Sequence, residues 1–343
     1  MNTSSSAERI RQEIIRLCHA GLDSRTFRVE CVKRLQKSIP VDASFFATAD
    51  PATLLFTSAV QDDVLTQATS QFLENELLKD DAVKFAQLAR GRSPVDSLGA
   101  ATKGELALSP RYQEILAPMD LGDELRAALV VGSKCWGFMC LHRERSSPNF
   151  TPAEAAFLAK LAPHLAEGLR TALLIGDAQA TPLQPEGPGL VLLADDLSLV
   201  ATKPAAEGWL AEVQESDRPS SSELPGAIYT VASRLLAIEH GGYMPPDLMP
   251  RIRLRSVAGA ARLEAAGRKE RGSDSRHLRG GPSFGDRAPD RRCLWPDQAR
   301  GRDHEARLAR AVHRRSLRRT AHYPQHGARS LQVHLRQGRR SQP

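Results

Sequence analysis

The sequence predicts an α+β fold: an antiparallel sheet flanked by helices, then a shorter α/β segment and a basic tail without buildable order. Three observations carry this. Two apolar runs, Leu125–Val131 and Cys135–Leu141, flank Gly132-Ser133, and Gly-Ser between β-rich runs signals a two-residue hairpin. A capped helix with a broad apolar stripe follows. Periodic apolar patterning then stops shortly after Arg255, where Arg, Gly, Pro and His dominate.

Residues 1–6 are a polar lead. Ile10, Ile14 and Leu17 share one helical face, and Gly21 ends that helix. Phe27, Cys31 and Leu35 make a second short stripe, stopped by Pro40. Two strands are expected next, Ala43–Ala49 and Leu54–Ser58, joined through the Asp50-Pro51 turn. Val64, Leu65, Ala68, Phe72 and Leu73 predict a helix reaching about Lys79. From Asp80 to Asp120 the pattern is irregular; adjacent carboxylates point apart on a helix, so Asp80-Asp81 reads as a solvated turn. The hairpin comes next, with small side chains on one parity and bulky ones on the other, as a half-buried sheet requires. A polar loop, Arg143–Asn149, leads to Phe150-Thr-Pro-Ala-Glu154. Thr151 is a natural N-cap, Pro152 suits the first helical position and Glu154 closes a capping box. Phe157, Leu161, Leu165, Leu169 and Leu173 then recur at i+4, widened by Leu158 and Ala162 into a core-facing stripe.

At 343 residues the chain has length for one large or two ordinary domains. Its formal charge of +7 is unevenly spread. Up to Ser256 there are 26 Lys and Arg against 32 Asp and Glu; from Val257 onward there are 21 against 8, and 20 of those 21 are Arg. The five cysteines (18, 31, 135, 140 and 293) form no C-x-x-C pair, and four lie on apolar faces, so reduced thiols in a cytoplasmic protein are expected. Cys135 and Cys140 have opposite parity on one strand, which excludes a shared metal. No signal-peptide pattern and no apolar run near 18 residues occurs, so secretion and membrane spanning are not expected.

The stretch from Ala128 to Leu173 resembles the C-terminal half of a GAF domain, a small-ligand sensor module of bacterial regulators. The Trp136-Gly137 strand, the Phe150–Glu154 helix start and the Leu161-Ala-Pro-His-Leu165 run carry the resemblance. It implies a central antiparallel sheet in a domain over 1–175, with the first and last helices on one face and a ligand pocket on the other. It also implies an unidentified small-molecule effector and a homodimer paired through those terminal helices. The irregular stretch would cover the pocket, with Phe85, Leu88, Leu106, Tyr112 and Ile115 as candidate lining; the same five residues also fit ordinary core filling.

Residues 176–189, rich in Gly, Pro and Ala, read as a linker. Over 190–256 a strand, an Asp195-Asp196 turn, a second strand and a helix from near Pro204 resemble the opening of a PAS domain. A helix over Glu223–Glu239, with Ile228, Val231, Leu235 and Ile238 on one face, and an alternating Arg251–Arg255 strand extend it. If the sheet stops there, Arg251–Arg255 is left as an open edge prone to aggregation.

The Arg-rich segment 257–343 is too poor in apolar residues to offset its ordering entropy, and is expected to be disordered. Three readings compete: a basic nucleic-acid-binding arm, an inert tail, or a shifted reading frame. With permitted codons and each triplet begun one base later, Ser273–Gln298 becomes QIAVIFEEARPSEIAPLIVAAYGLT and His322–Gln342 becomes TPNTVRDHFKSIFDKVGVRS. The second string resembles the recognition helix of LuxR-type helix-turn-helix regulators. The frame-shift reading therefore implies a sensor whose DNA-binding end is lost from the residues as written.

No nucleotide loop, nucleophile elbow or metal-ligand spacing occurs, and His19, His142 and His164 stand isolated. No enzymatic activity, cofactor or metal is expected. The leading expectation is the sensory and dimerising part of a bacterial transcriptional regulator, with DNA bound weakly and non-specifically if at all. The alternative is a non-specific nucleic-acid binder acting through its basic C-terminal tail, with affinity falling steeply in salt.

Overall fold

The computed structural model describes residues 3–179, 188–214, 224–240, 249–256, 259–267 and 331–337. Its N-terminal module begins with α1 (Thr3–Cys18) and α2 (Ser24–Leu35), the latter started by Asp23, whose side chain accepts from the Thr26 amide at 3.0 Å. Strands β1 (Ala43–Ala49) and β2 (Phe56–Gln61) follow, then α3 (Asp63–Thr66), α4 (Thr69–Leu78), α5 (Phe85–Arg90), β3 (Val95–Ser97) and α6 (Leu98–Ala101). Strands β4 (Leu121–Val131) and β5 (Lys134–Glu144) form the predicted hairpin, and α7 (Pro152–Gln179) closes the module. The antiparallel sheet runs β2-β1-β5-β4-β3.

The hairpin turn is the two-residue one expected: Val131 pairs with Lys134, and Gly132 takes φ +62°. Positive φ at the first turn residue alone is the conformation glycine supplies without steric cost. The α7 start also forms as expected. The Thr151 amide donates to Glu154 Oε2 at 2.8 Å, while the Glu154 amide donates to Thr151 Oγ1 at 3.2 Å. Residues Leu158, Leu161, Leu165 and Leu169 of α7 are buried against Ile10, Ile14, Phe27, Phe46, Met139 and Leu141. A Cβ added at Gly168 would lie 2.8 Å from Cys18 Cβ and Phe27 Cζ, so glycine there lets α7 approach α1 and α2 closely.

Two expected elements differ. The single helix to Lys79 is broken into α3 and α4, because Thr69 Oγ1 turns back to the Thr66 carbonyl at 2.8 Å. Strand β2 starts at Phe56 and not Leu54, since Leu54 takes φ +59° and hands Leu55 away from the sheet. Leu55, 1% exposed, packs instead among the core residues of the second module.

That second module contains β6 (Gly189–Leu193), β7 (Leu199–Thr202), α8 (Pro204–Gln214), α9 (Gly226–Glu239), β8 (Arg251–Ser256), β9 (Gly259–Gly267) and β10 (Leu331–Gln337). Its antiparallel sheet runs β7-β6-β10-β9-β8, the same permutation as the first sheet. Helix α9 is buried on both sides: Val231 and Leu235 join the second core, while Tyr229 also packs against the aromatic cluster of the first module.

Here the expectation of a wholly disordered segment over 257–343 needs correction. Residues 259–267 and 331–337 are strands, and β10 is the central one, pairing with both β6 and β9. Ala261, Leu263 and Ala265 alternate along β9, and Leu331, Val333 and Leu335 along β10. That short alternation suffices because α9 and neighbouring strands supply the rest of the buried surface: Val333 and Ala265 are buried in the second core. Residues 268–330 lie outside the described residues. Strand β8 is an edge, as expected, but it pairs with β9, and its Arg253 amide donates to Asp50 Oδ2 of the first module at 2.8 Å. No helix among the described residues is long and apolar enough to cross a membrane.

Candidate functional site

The face of the first sheet turned away from α1 and α7 carries Phe45, Glu124, Arg126, Ala128, Phe138, Cys140 and His142. Hairpin register creates this set. Past the turn, Val131 opposes Lys134 and Val130 opposes Cys135, but Leu129 opposes Gly137, so Trp136 is the extra residue of a β-bulge. Beyond it Ala128 opposes Phe138, Arg126 opposes Cys140 and Glu124 opposes His142. The bulge also corrects the parity expectation for the cysteines, because Cys135 and Cys140 belong to the same buried cluster.

Buried charges fill one end of this face. Arg111 Nε donates to Glu124 Oε1 at 2.5 Å, Nη1 to Asn75 Oδ1 at 3.2 Å and Nη2 to the Ala82 carbonyl at 3.0 Å. Its backbone amide donates to Asp81 Oδ2 at 2.7 Å. Arg126 Nη1 donates to Glu76 Oε2 at 3.0 Å and to the Val83 carbonyl at 2.7 Å, with the guanidinium 3.9 Å from the Phe85 ring centroid. Lys84 Nζ donates to the Asn75 and Glu76 carbonyls at 2.5 and 2.8 Å. Asp81 is thus a buried anchor for Arg111, not a solvated turn residue.

Burial alone would raise the Glu124 carboxyl, but the Arg111 and Arg126 guanidiniums outweigh it and hold it at about 2. His142, 1% exposed, is pushed down to about 4, first by burial and further by Arg126 and Arg111, against the pull of Glu124. Its Nδ1 lies 4.0 Å from Glu124 Oε2 and makes no hydrogen bond. Glu124, Cys140 and His142 bring three possible metal-ligand atoms within 4.8 Å of one another. The fit to a cation is poor. Two guanidiniums already occupy the carboxylate, and burial, then Glu124, push the Cys140 thiol well above its ordinary value.

Beside the charges lies a cavity of about 820 Å³. Phe45, Phe56, Phe72 and Leu73 form its apolar floor; Gln61, Thr66, Thr69 and His142 supply polar groups. Gln61 Nε2 is held by Thr66 Oγ1 at 3.2 Å and Thr69 Oγ1 at 3.4 Å, so the broken helix orients the polar side. The second module closes the opposite wall with 196–199, in the β6–β7 turn, and with 225–227, 229 and 230 at the start of α9. This mixture of an apolar floor and a few fixed polar groups suits an organic molecule of modest size.

Of the five residues that the sequence suggested as lining, Ile115 reaches the cavity. Phe85 and Leu88 pack in the cluster beneath, with the Phe85 centroid 4.7 Å from that of Phe138. Leu106 and Tyr112 pack against Leu98, Leu116 and Leu121. The irregular stretch covers chiefly the ion network, because Asp81 and Arg111 pin it there. Sequence patterning alone does not mark Phe45, Phe56, Phe72 and His142 as lining. Alternation of Phe45 and Phe46 along β1 was the available signal, since one of the two had to leave the helix-covered face.

Residues 32–169 match the GAF domain family. No curated protein matches the chain. Among solved structures, the GAF domain of a phosphoenolpyruvate-protein phosphotransferase from Coxiella burnetii is 17% identical, over 51% of this chain and 99% of that one, with a TM-score of 0.36. The VqsR LBD domain from Pseudomonas aeruginosa is 16% identical, over 48% and 96%, with a TM-score of 0.35. The GAF domain/HD domain protein from Geobacter sulfurreducens is 20% identical, over 43% and 93%, with a TM-score of 0.33.

Proposed function

We propose that this chain is the sensory part of a bacterial transcriptional regulator resembling the LuxR type, with a small effector bound by the GAF domain. The observation that carries the reading is the cavity on the sheet face opposite α1 and α7, with aromatic floor and an unpartnered buried imidazole nitrogen. A regulatory and not catalytic role fits the chemistry at hand. Burial pushes the Cys135 thiol up to about 12, and the buried acids Glu76, Asp81 and Glu124 are matched by arginines. The second module is read as PAS-like; its strand-strand-helix opening and its sheet order support that reading. Pairing of two protomers through α1 and α7 would leave the cavity free on the other face.

The link to DNA rests on the shifted-frame string over His322–Gln342. Part of that stretch serves here as β10, so the chain as written uses it for the sheet. Resequencing the gene across the codons for Val257–Gly272 tests the link: one inserted or deleted base supports it, and an unbroken frame contradicts it. The sensing claim is tested by thermal denaturation of the full chain against a library of small metabolites. A saturable rise in Tm by at least one compound is expected, of the size mass action requires at its Kd. A melting temperature unmoved by every compound at millimolar concentration would remove the claim.

A further inference from the structure

We infer that the effector site is shared by the two modules and takes an uncharged or cationic aromatic amphiphile. The inference rests on the small-molecule reading above and adds the ligand's chemistry and the second wall. The floor is aromatic: the Phe45 centroid lies 5.5 Å from that of Phe56 and 5.8 Å from that of Phe72, and Tyr229 faces them from α9. Such a surface takes a planar apolar ring by edge or offset stacking, and it attracts a cation to the ring faces.

Charge excludes the opposite class. The ionised groups at the cavity are Arg25, Asp63 and Asp196, two acids against one base. Beneath the floor, Arg111, Arg126, Lys84 and Arg234 lie among Asp81, Glu76 and Glu124 and stand outside the cavity lining, so the charge a ligand meets is that of the three lining groups. His142, 1% exposed, also borders the cavity, and its Nδ1 makes no hydrogen bond.

Both modules are needed to complete the walls. Asp63 belongs to α3 of the first module, and Asp196 to the β6–β7 turn of the second. The two walls are fixed against each other by Leu55, inserted into the second core, and by the Asp50–Arg253 hydrogen bond. A ligand spanning the cavity therefore bears on α9, the helix that the second sheet packs against.

The test is calorimetric titration of the full chain at low salt with tryptamine, tryptophol and indole-3-acetate, one ring system in cationic, neutral and anionic form. Tryptamine and tryptophol are expected to bind, with indole-3-acetate roughly tenfold weaker. Asp63→Asn and Asp196→Asn should each weaken tryptamine about two- to fivefold while leaving tryptophol nearly unchanged. Asn at 196 keeps the acceptor that holds the Ser198 amide, so the turn survives. Equal or tighter binding of indole-3-acetate would overturn the charge assignment, and indifference to Asp196→Asn would overturn the shared wall. Failure of all three indoles, beside stabilisation by a non-aromatic metabolite, would overturn the aromatic assignment and leave the sensing reading standing.

Discussion

Glu124 sits fully buried in the sheet interior and stays ionised because two guanidiniums face it. Breaking such a set leaves a charge without compensation, so Arg126→Met is expected to cost about 3–5 kcal/mol in urea denaturation. A loss under 1 kcal/mol would show that Glu124 is compensated by other groups. His142 gives the network a pH signature. Its ordinary pKa is 6.5 and its folded value about 4, so the unfolded chain takes up the proton first as pH falls. The stabilisation is complete above about pH 6.5 and is lost on the way to pH 4, up to roughly 3 kcal/mol. Glu124 adds a second loss between its ordinary 4.5 and about 2. Stability measured against pH should therefore fall in two windows, and His142→Gln should flatten the upper one alone.

At the scale of elements, the β1–β2 hairpin couples the modules. Leu55 lies at its tip, yet its contacts are in the second core, where truncation to Ala is expected to cost about 2–5 kcal/mol. Native-state hydrogen exchange should report that loss in α9 and β8 ahead of α7; protection lost first in α1 and α7 would contradict the coupling. Much of this architecture was legible in the residues. The Gly132-Ser133 turn and the Thr151–Glu154 cap are local chemistry, fixed by neighbours within a few positions, and both form as the sequence predicts. The bulge at Trp136 is marked only by Gly137 beside it, and a lone glycine inside a strand does not fix where the register slips. Simple counting from the turn would set Glu124 opposite Leu141, a helix-facing residue, and the site's pairing of Glu124 with His142 depends on the slip. Strands β9 and β10 were missed for a related reason. Their three-residue alternations are too short to stand out, and their burial is supplied by α9 and by β6, distant in sequence.

At the scale of the molecule, one face of the first sheet is given to helices and the other to the cavity. The proposed dimer uses the former. Leu174, 44% exposed near the end of α7, is an apolar group left uncovered there. Sedimentation of the full chain should show a concentration-dependent dimer, and Leu174→Glu should shift it toward monomer without changing effector binding; a monomer at every concentration would contradict the pairing. Effector occupancy, by contrast, should register on the opposite face and in α9. The most direct measurement is a crystal structure of the full chain with the first compound that raises its Tm. Density for that compound between Phe56, Phe72 and His142 is the predicted result, whereas density on the α1–α7 face with the cavity empty would contradict the account.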